Sequence, residues 1–557
     1  MAEEDYENLQ QVNTVQNKII IYQVLPRLFG NKNTSSVFNG TIHENGVGKF
    51  KDFDHQTLNE IRNLGISHIW YTGVIEHTKL TDYTDCGISQ DYPALVKGRA
   101  GSPYAIKDYY DVDPDLAVDM NKRMQEFEAL VNRTHENNMK VIIDFVPNHV
   151  FRQYKSDNKP EGIKDFGEND NPDIAFHPHN NFYYLPGQSF EIPDDIQWLQ
   201  QMSRELPDEG YDEFPAKATG NDKFVAKPDR NDWYETIKLN YGVDYLAGRT
   251  GHFEPIPDTW NKMLDILLFW AGKNVDGFRC DMAEMVPVEF WQWAIGKVKK
   301  QFPEIIFIAE IYNPLQYHNY VKMGGFDYLY DKVGLYDSLK NIVQGHGSTG
   351  SITNCWQALE GLDAHMLRFL ENHDEVRLVT RFFAGDLFAG IPAMVVSACM
   401  NTGPVMIYSG QEVGEPAAGA VGFSGDDGRT SIFDYTNIPE LQHWINNGTF
   451  DGAGLSNEQK DLRSFYQKIL NFSLTEPAIS SGKFYDLMWV NTWEDLANRD
   501  KVFAFLRYTD NQRLLVVVDF SGQKNRKLKI KIPQHAFGEM GITENKEMEF
   551  IDLFWDA

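Results

Sequence analysis

Cysteine is scarce in this chain: four residues in 557, Cys86, Cys280, Cys355 and Cys399, far apart and without metal-ligand spacing. That excludes a disulfide framework and a cysteine-held zinc site. Cys280, inside an apolar run, reads as a small core residue. No stretch reaches the roughly 18 apolar residues that a membrane-spanning helix needs. Positive charge is also short, with 52 Lys and Arg against 80 Asp and Glu, a net charge of −28. A nucleic-acid partner is thereby excluded, because no basic stripe is left to neutralise phosphates. The opening Met1-Ala2-Glu3-Glu4-Asp5 is acidic and polar, unlike a signal peptide. Localisation stays open between the cytoplasm and an exported protein whose signal has been removed.

What is present is enough for a large core. Hydrophobic residues make up 42% and charged residues 24%, as in a globular protein, and the length calls for one large unit with smaller modules. From Lys18 onward, short apolar runs alternate with helical patterns. Ile19 to Val24, Ile66 to Tyr71 and Val141 to Val146 read as strands. Met124, Phe127, Leu130 and Val131 recur at helical spacing, as do Trp260, Met263, Leu264, Leu267 and Leu268, and then Phe290, Ile295 and Val298. Repeated strand–helix units over this length predict an α/β fold, a (β/α)8 TIM barrel.

The alternation breaks between about 150 and 250, where Asn, Asp, Pro and Gly dominate. This segment is expected to be an inserted domain after strand three, overhanging a cleft. From about Phe484 the texture becomes that of antiparallel strands: Val502 to Leu506, Leu514 to Val518, then alternating Leu528, Ile530 and Ile532. The expected organisation is a loose arm over 1–17, a barrel over 18–149 and 251–482, the insertion over 150–250, and a C-terminal antiparallel β-sandwich over 483–557 that ends a few strands short.

Three acids stand in strand-like segments: Asp281 in Gly277-Phe278-Arg279-Cys280-Asp281, Glu310 in Phe307-Ile308-Ala309-Glu310, and Asp374 in Phe369-Leu370-Glu371-Asn372-His373-Asp374. A carboxylate closing a buried strand is costly to dehydrate, so three of them suggest one acid-lined cleft. Cleavage of a glycosidic bond requires such an arrangement. Arg279, two residues before Asp281 on the same strand, should face the same interior and hold Asp281 ionised.

In order along the chain, Asp144-Phe145-Val146-Pro147-Asn148-His149, Gly277 to Asp281, Ala309-Glu310 and Asn372-His373-Asp374 resemble the four motifs of the α-amylase family of glycoside hydrolases. Gly65 to Trp70, Ser102 to Tyr110 and Gly403 to Glu412 are similar to further family segments. The resemblance implies Asp281 as nucleophile, Glu310 as general acid and base, and Asp374 as the third catalytic acid, which grips sugar hydroxyls. It implies that Tyr104 stacks on the sugar, that His149 and His373 bind its hydroxyls with Arg279 alongside, and that configuration is retained. The implied substrate is a starch-like α-glucan or maltooligosaccharide with α-1,4 bonds. The alternatives are a 4-α-glucanotransferase and a neopullulanase or maltogenic oligosaccharide hydrolase. No cofactor is required for the chemistry, a structural calcium with Asn148 as ligand is an open point, and a monomer is expected. Two features depart from the family pattern. Glu284 and Met285 stand where many relatives have Lys-His, which bind the reducing-end side of the sugar chain and, through a backbone carbonyl, a calcium ion. Ile237 to Tyr241 stands in place of the family's short Pro-Asp-containing motif.

Overall fold

The computed structural model describes residues 18–194, 206–207, 209–419, 425–491, 500–523, 526–542 and 549–554; the expected arm over 1–17 lies outside them. Eight parallel strands close into a barrel in sequence order. They are β1 (Ile20–Val24), β2 (His68–Tyr71), β3 (Lys140–Phe145), β4 (Gly277–Cys280), β5 (Ile306–Ala309), β6 (Tyr328–Tyr330), β7 (Met366–Phe369) and β8 (Val405–Tyr408). The ring closes through Ile20 opposite Val405 and Tyr22 opposite Ile407. These strands are apolar at nearly every position because parallel strands are covered on both faces, by side chains inside and helices outside. β1 is buried throughout.

The helical spacings read from the sequence become the outer helices. Helix Asp258–Gly272 turns Trp260, Met263, Ile266, Leu267 and Trp270 inward, and helix Val288–Gln301 does the same with Phe290, Trp291, Ile295 and Val298. Helix His55–Asn63 starts on Asp54, whose carboxylate accepts the Thr57 backbone N–H at 2.8 Å, satisfying one of the donors every helix start leaves free.

Between β3 and helix Asp258–Gly272 the chain builds short antiparallel pairs rather than barrel units. Strand His149–Phe151 pairs with Thr236–Lys238, Tyr184–Leu185 with Ala216–Lys217, and Val243–Asp244 with Thr250–Gly251. At the C-terminus one three-stranded antiparallel sheet forms from β9 (Lys483–Asp486), β10 (Val502–Tyr508) and β11 (Arg513–Asp519). The alternating stretch at Leu528, Ile530 and Ile532 forms no strand. Ile530 and Ile532 instead pack on the small cluster of Leu487, Leu506 and Tyr508. The sheet is tied to its neighbours by the buried Arg507, whose guanidinium donates to the carbonyls of Met400, Ala478, Ile479 and Gly482. Five donors in a rigid fork suit a junction made of carbonyls converging from several directions.

Candidate active site

Asp281 and Glu310 each follow immediately on the last residue of a barrel strand, β4 and β5. That places both at the carboxyl-terminal mouth, where a barrel carries its reactive groups. Phe278 pairs with Phe307 and Cys280 with Ala309, so the two acids occupy neighbouring equivalent positions. Arg279 lies between them, fully buried. Its Nη1 donates to Asp281 Oδ1 at 2.8 Å, its Nη2 lies 2.8 Å from Glu310 Oε2, and Asp144 Oδ1 is 3.4 Å from Nη1. One guanidinium therefore faces three carboxyl groups, and it cannot neutralise them all.

Both site carboxyls respond accordingly. Burial pushes Glu310 up, and the charges of Asp281 and Asp374 add to the effect while Arg279 opposes it. Asp281 is also pushed up by burial, against the pull of Arg279. Arg279 does act on Asp281 in the direction the sequence suggests, but the loss of water outweighs it. Asp144 is pushed up to about 7 by burial, with Arg279 and a hydrogen bond from Trp70 Nε1 at 3.0 Å in opposition.

Glu310 is held from two further sides. Met282 N donates to Oε2 at 2.7 Å and Tyr312 Oη to Oε1 at 2.8 Å. Met282 takes a left-handed conformation, φ 44°, as the chain turns out of β4.

Asp374 differs from the other two acids. It does not close a strand; it stands five residues past the end of β7 and its side chain is 47% exposed. Its charge still pushes Asp281 and Glu310 up, and it is linked to them in space through His373, which stacks on Tyr104, whose ring lies 5.3 Å from the Arg279 guanidinium. The preceding His373 is buried. Gln23 Nε2 donates to its Nδ1 at 2.7 Å, which leaves the proton on Nε2, buried, 3.1 Å from Asp374 Oδ2 and without a well-aligned partner. Burial pushes His373 down to about 3 and His149 down to about 4, so both are neutral hydrogen-bonding groups at pH 7. Tyr104 stacks on His373, ring centroids 5.0 Å apart, and its carbonyl lies 3.1 Å from His149 Nε2. Asn148 sits behind His149, with its Nδ2 3.0 Å from His149 Nδ1 and donating to Gly220 O at 2.8 Å. All eight residues singled out in the sequence thus meet at one mouth.

Sequence reasoning missed Tyr312, Gln23, Trp70 and Tyr330, whose hydroxyl accepts from Arg279 Nε at 3.1 Å. Tyr312 carried a readable signal: two residues after Glu310, it shares a face with it in extended chain. Gln23 is an amide in an otherwise apolar strand, which was a second signal. The others need the barrel closed before they meet the site.

A family model described as alpha amylase, catalytic domain, matches residues 23–431. The chain belongs to the α-amylase family of glycoside hydrolases. Among relatives, it is 23% identical over 509 residues to Alpha-amylase 3 of Dictyoglomus thermophilum, covering 87% of this chain and 86% of that one. It is 26% identical over 355 residues to an α-1,4-glucan:maltose-1-phosphate maltosyltransferase of Cereibacter sphaeroides, covering 61% of this chain and 44% of the relative. The α-amylase of Geobacillus thermoleovorans, solved with acarbose, superposes with a TM-score of 0.57 at 20% identity, covering 91% of this chain and 88% of that one. At that identity the superposition speaks for the fold; the family match makes the chain a glycoside hydrolase. Among the described residues, no helix is long and apolar enough to cross a membrane.

Proposed function

We propose that the enzyme hydrolyses α-1,4-glucosidic bonds in starch-like α-glucans and maltooligosaccharides with retention of configuration. The single observation that carries this is the bridging of Asp281 and Glu310 by Arg279 at the mouth of the barrel. An Asp281 oxygen attacks the anomeric carbon while protonated Glu310 gives its proton to the departing glycosidic oxygen. The C–O bond breaks and a glycosyl ester forms. Glu310, now ionised, takes a proton from water, whose oxygen attacks the same carbon and releases Asp281. The upward push on Glu310 supplies the proton for the first half, and the donors from Met282 and Tyr312 stabilise the anion needed in the second. In this reading Asp374 and His373, 3.1 Å apart, bind sugar hydroxyls, with Tyr104 stacked beside His373 as an aromatic wall.

Incubation with starch, pullulan and maltotriose followed by product chromatography tests the reading. A ladder of maltooligosaccharides from starch, released first as the α-anomer in an NMR time course, is the expected result. Panose from pullulan would make it a neopullulanase. Longer sugars from maltotriose would favour transfer, the activity named for the Cereibacter relative. β-Anomer appearing first would reject the double displacement.

A further inference from the structure

A second buried cation stands behind His149. Lys238, 2% exposed, is the last residue of strand Thr236–Lys238 and lies directly opposite His149 in the ladder. Its ammonium donates to Asn148 Oδ1 and to Met285 O, the latter at 3.2 Å, and pairs with Asp222 Oδ1 at 2.8 Å. Two of the three N–H donors of the ammonium are taken by Asn148 Oδ1 and Met285 O, and the Asp222 carboxylate balances its charge. The Tyr245 ring, 5.5 Å from Nζ, borders the same space. Gly220 lets the Asp222 loop come this close, since a Cβ there would stand 2.4 Å from Thr236 Oγ1 and 3.0 Å from His149 Cβ.

An amide oxygen, a carboxylate oxygen and a backbone carbonyl are what a hard divalent cation would take, but three oxygens are about half of the six to eight that calcium gathers. The space between them is filled by Nζ, and a lysine charge at the centre repels a second cation. The residues present therefore do not fit the structural calcium that the family resemblance raised for Asn148.

We propose that Lys238 is a built-in cation that takes the place of calcium in this protein and fastens the inserted segment to the loop after Asp281. The fastening point is Met285 O, three residues beyond the Met282 N–H that holds Glu310. Lys238 is thus a positioning residue for the acid, and the metal-binding part of the proposal is independent of which glucan is cleaved.

The test compares melting temperatures of the full-length enzyme in excess EDTA and in excess calcium. For the wild type the two should agree to within about 1 °C, because no ion is gained or lost on unfolding. Lys238→Ala should melt lower in EDTA, recover part of the loss in calcium, and show its alkaline limb of kcat moved upward as the Met282 support of ionised Glu310 loosens. A wild-type melting temperature that falls in EDTA overturns the proposal without any variant having to fold. So does a Lys238→Ala enzyme that melts with the wild type.

Discussion

Arg279 and Lys238 are both cations buried at the mouth of the same barrel, yet their surroundings have opposite charge balance. Arg279 faces the carboxyls of Asp281, Glu310 and Asp144. Lys238 faces one carboxylate, one amide oxygen and one carbonyl. Around Lys238 the charges cancel, and the result is a fastening. Around Arg279 negative charge is in excess, so protons stay within reach of the site. The planar guanidinium can touch two carboxyls at once in fixed geometry, whereas the ammonium is a compact point with three freely directed donors. Each cation suits its role for that reason.

The largest way to break the reactive half of this contrast is Asp281→Asn, which keeps the shape and removes the nucleophilic charge. It should fold normally and lose about 10⁴-fold or more in kcat; near-native turnover would remove Asp281 from the proposed chemistry. Arg279→Lys turns the fork into a point charge that cannot serve both acids. A fall of about 10²-fold in kcat is expected from the misplaced carboxyls, and an unchanged kcat would mean that the net charge alone is what Arg279 supplies.

Smaller changes sharpen the comparison. Tyr312→Phe removes a donor that favours ionised Glu310, so the Glu310 carboxyl should rise further and the alkaline limb of kcat should move to higher pH. The loss in kcat at the optimum should stay under about tenfold, as for one neutral hydrogen bond. Asp144 gives the smallest and most specific effect. Its folded form holds a proton up to about 7, while the unfolded chain releases it near 3.9. Its contribution to stability is therefore full below about pH 4 and lost as pH rises through about 7. Between about pH 5 and about pH 8 the melting temperature of Asp144→Asn should accordingly decline less than that of the wild type. Equal declines would assign the dependence to other groups.

Parts of this site were legible because they are local. Arg279 and Asp281 share a strand face by the two-residue alternation, and the apolar runs before Asp281 and Glu310 announce strand ends. Asp374 was legible as a site residue but not as an exposed one: its loop leaves the strand at Phe369, and only the folded course of residues 370–374 sets its distance from the core. The C-terminal alternation was a true signal of inward-facing side chains at Ile530 and Ile532, yet no strand formed there, because pairing needs a partner edge in register as well as an apolar face.

The chain's own order of residues determined the alternating strands and helices, the acids at their ends and the absence of a basic surface, since each follows from local periodicity or from composition. Only the closed barrel decided that one guanidinium would meet three carboxyls, and that a lysine from the inserted segment would meet Asn148 and Met285. The longest of those encounters join Arg279 to Asp144, 135 positions away in the chain, and Lys238 to Asn148, 90 positions away. Their energies depend on water being excluded from the shared space, which no local pattern records.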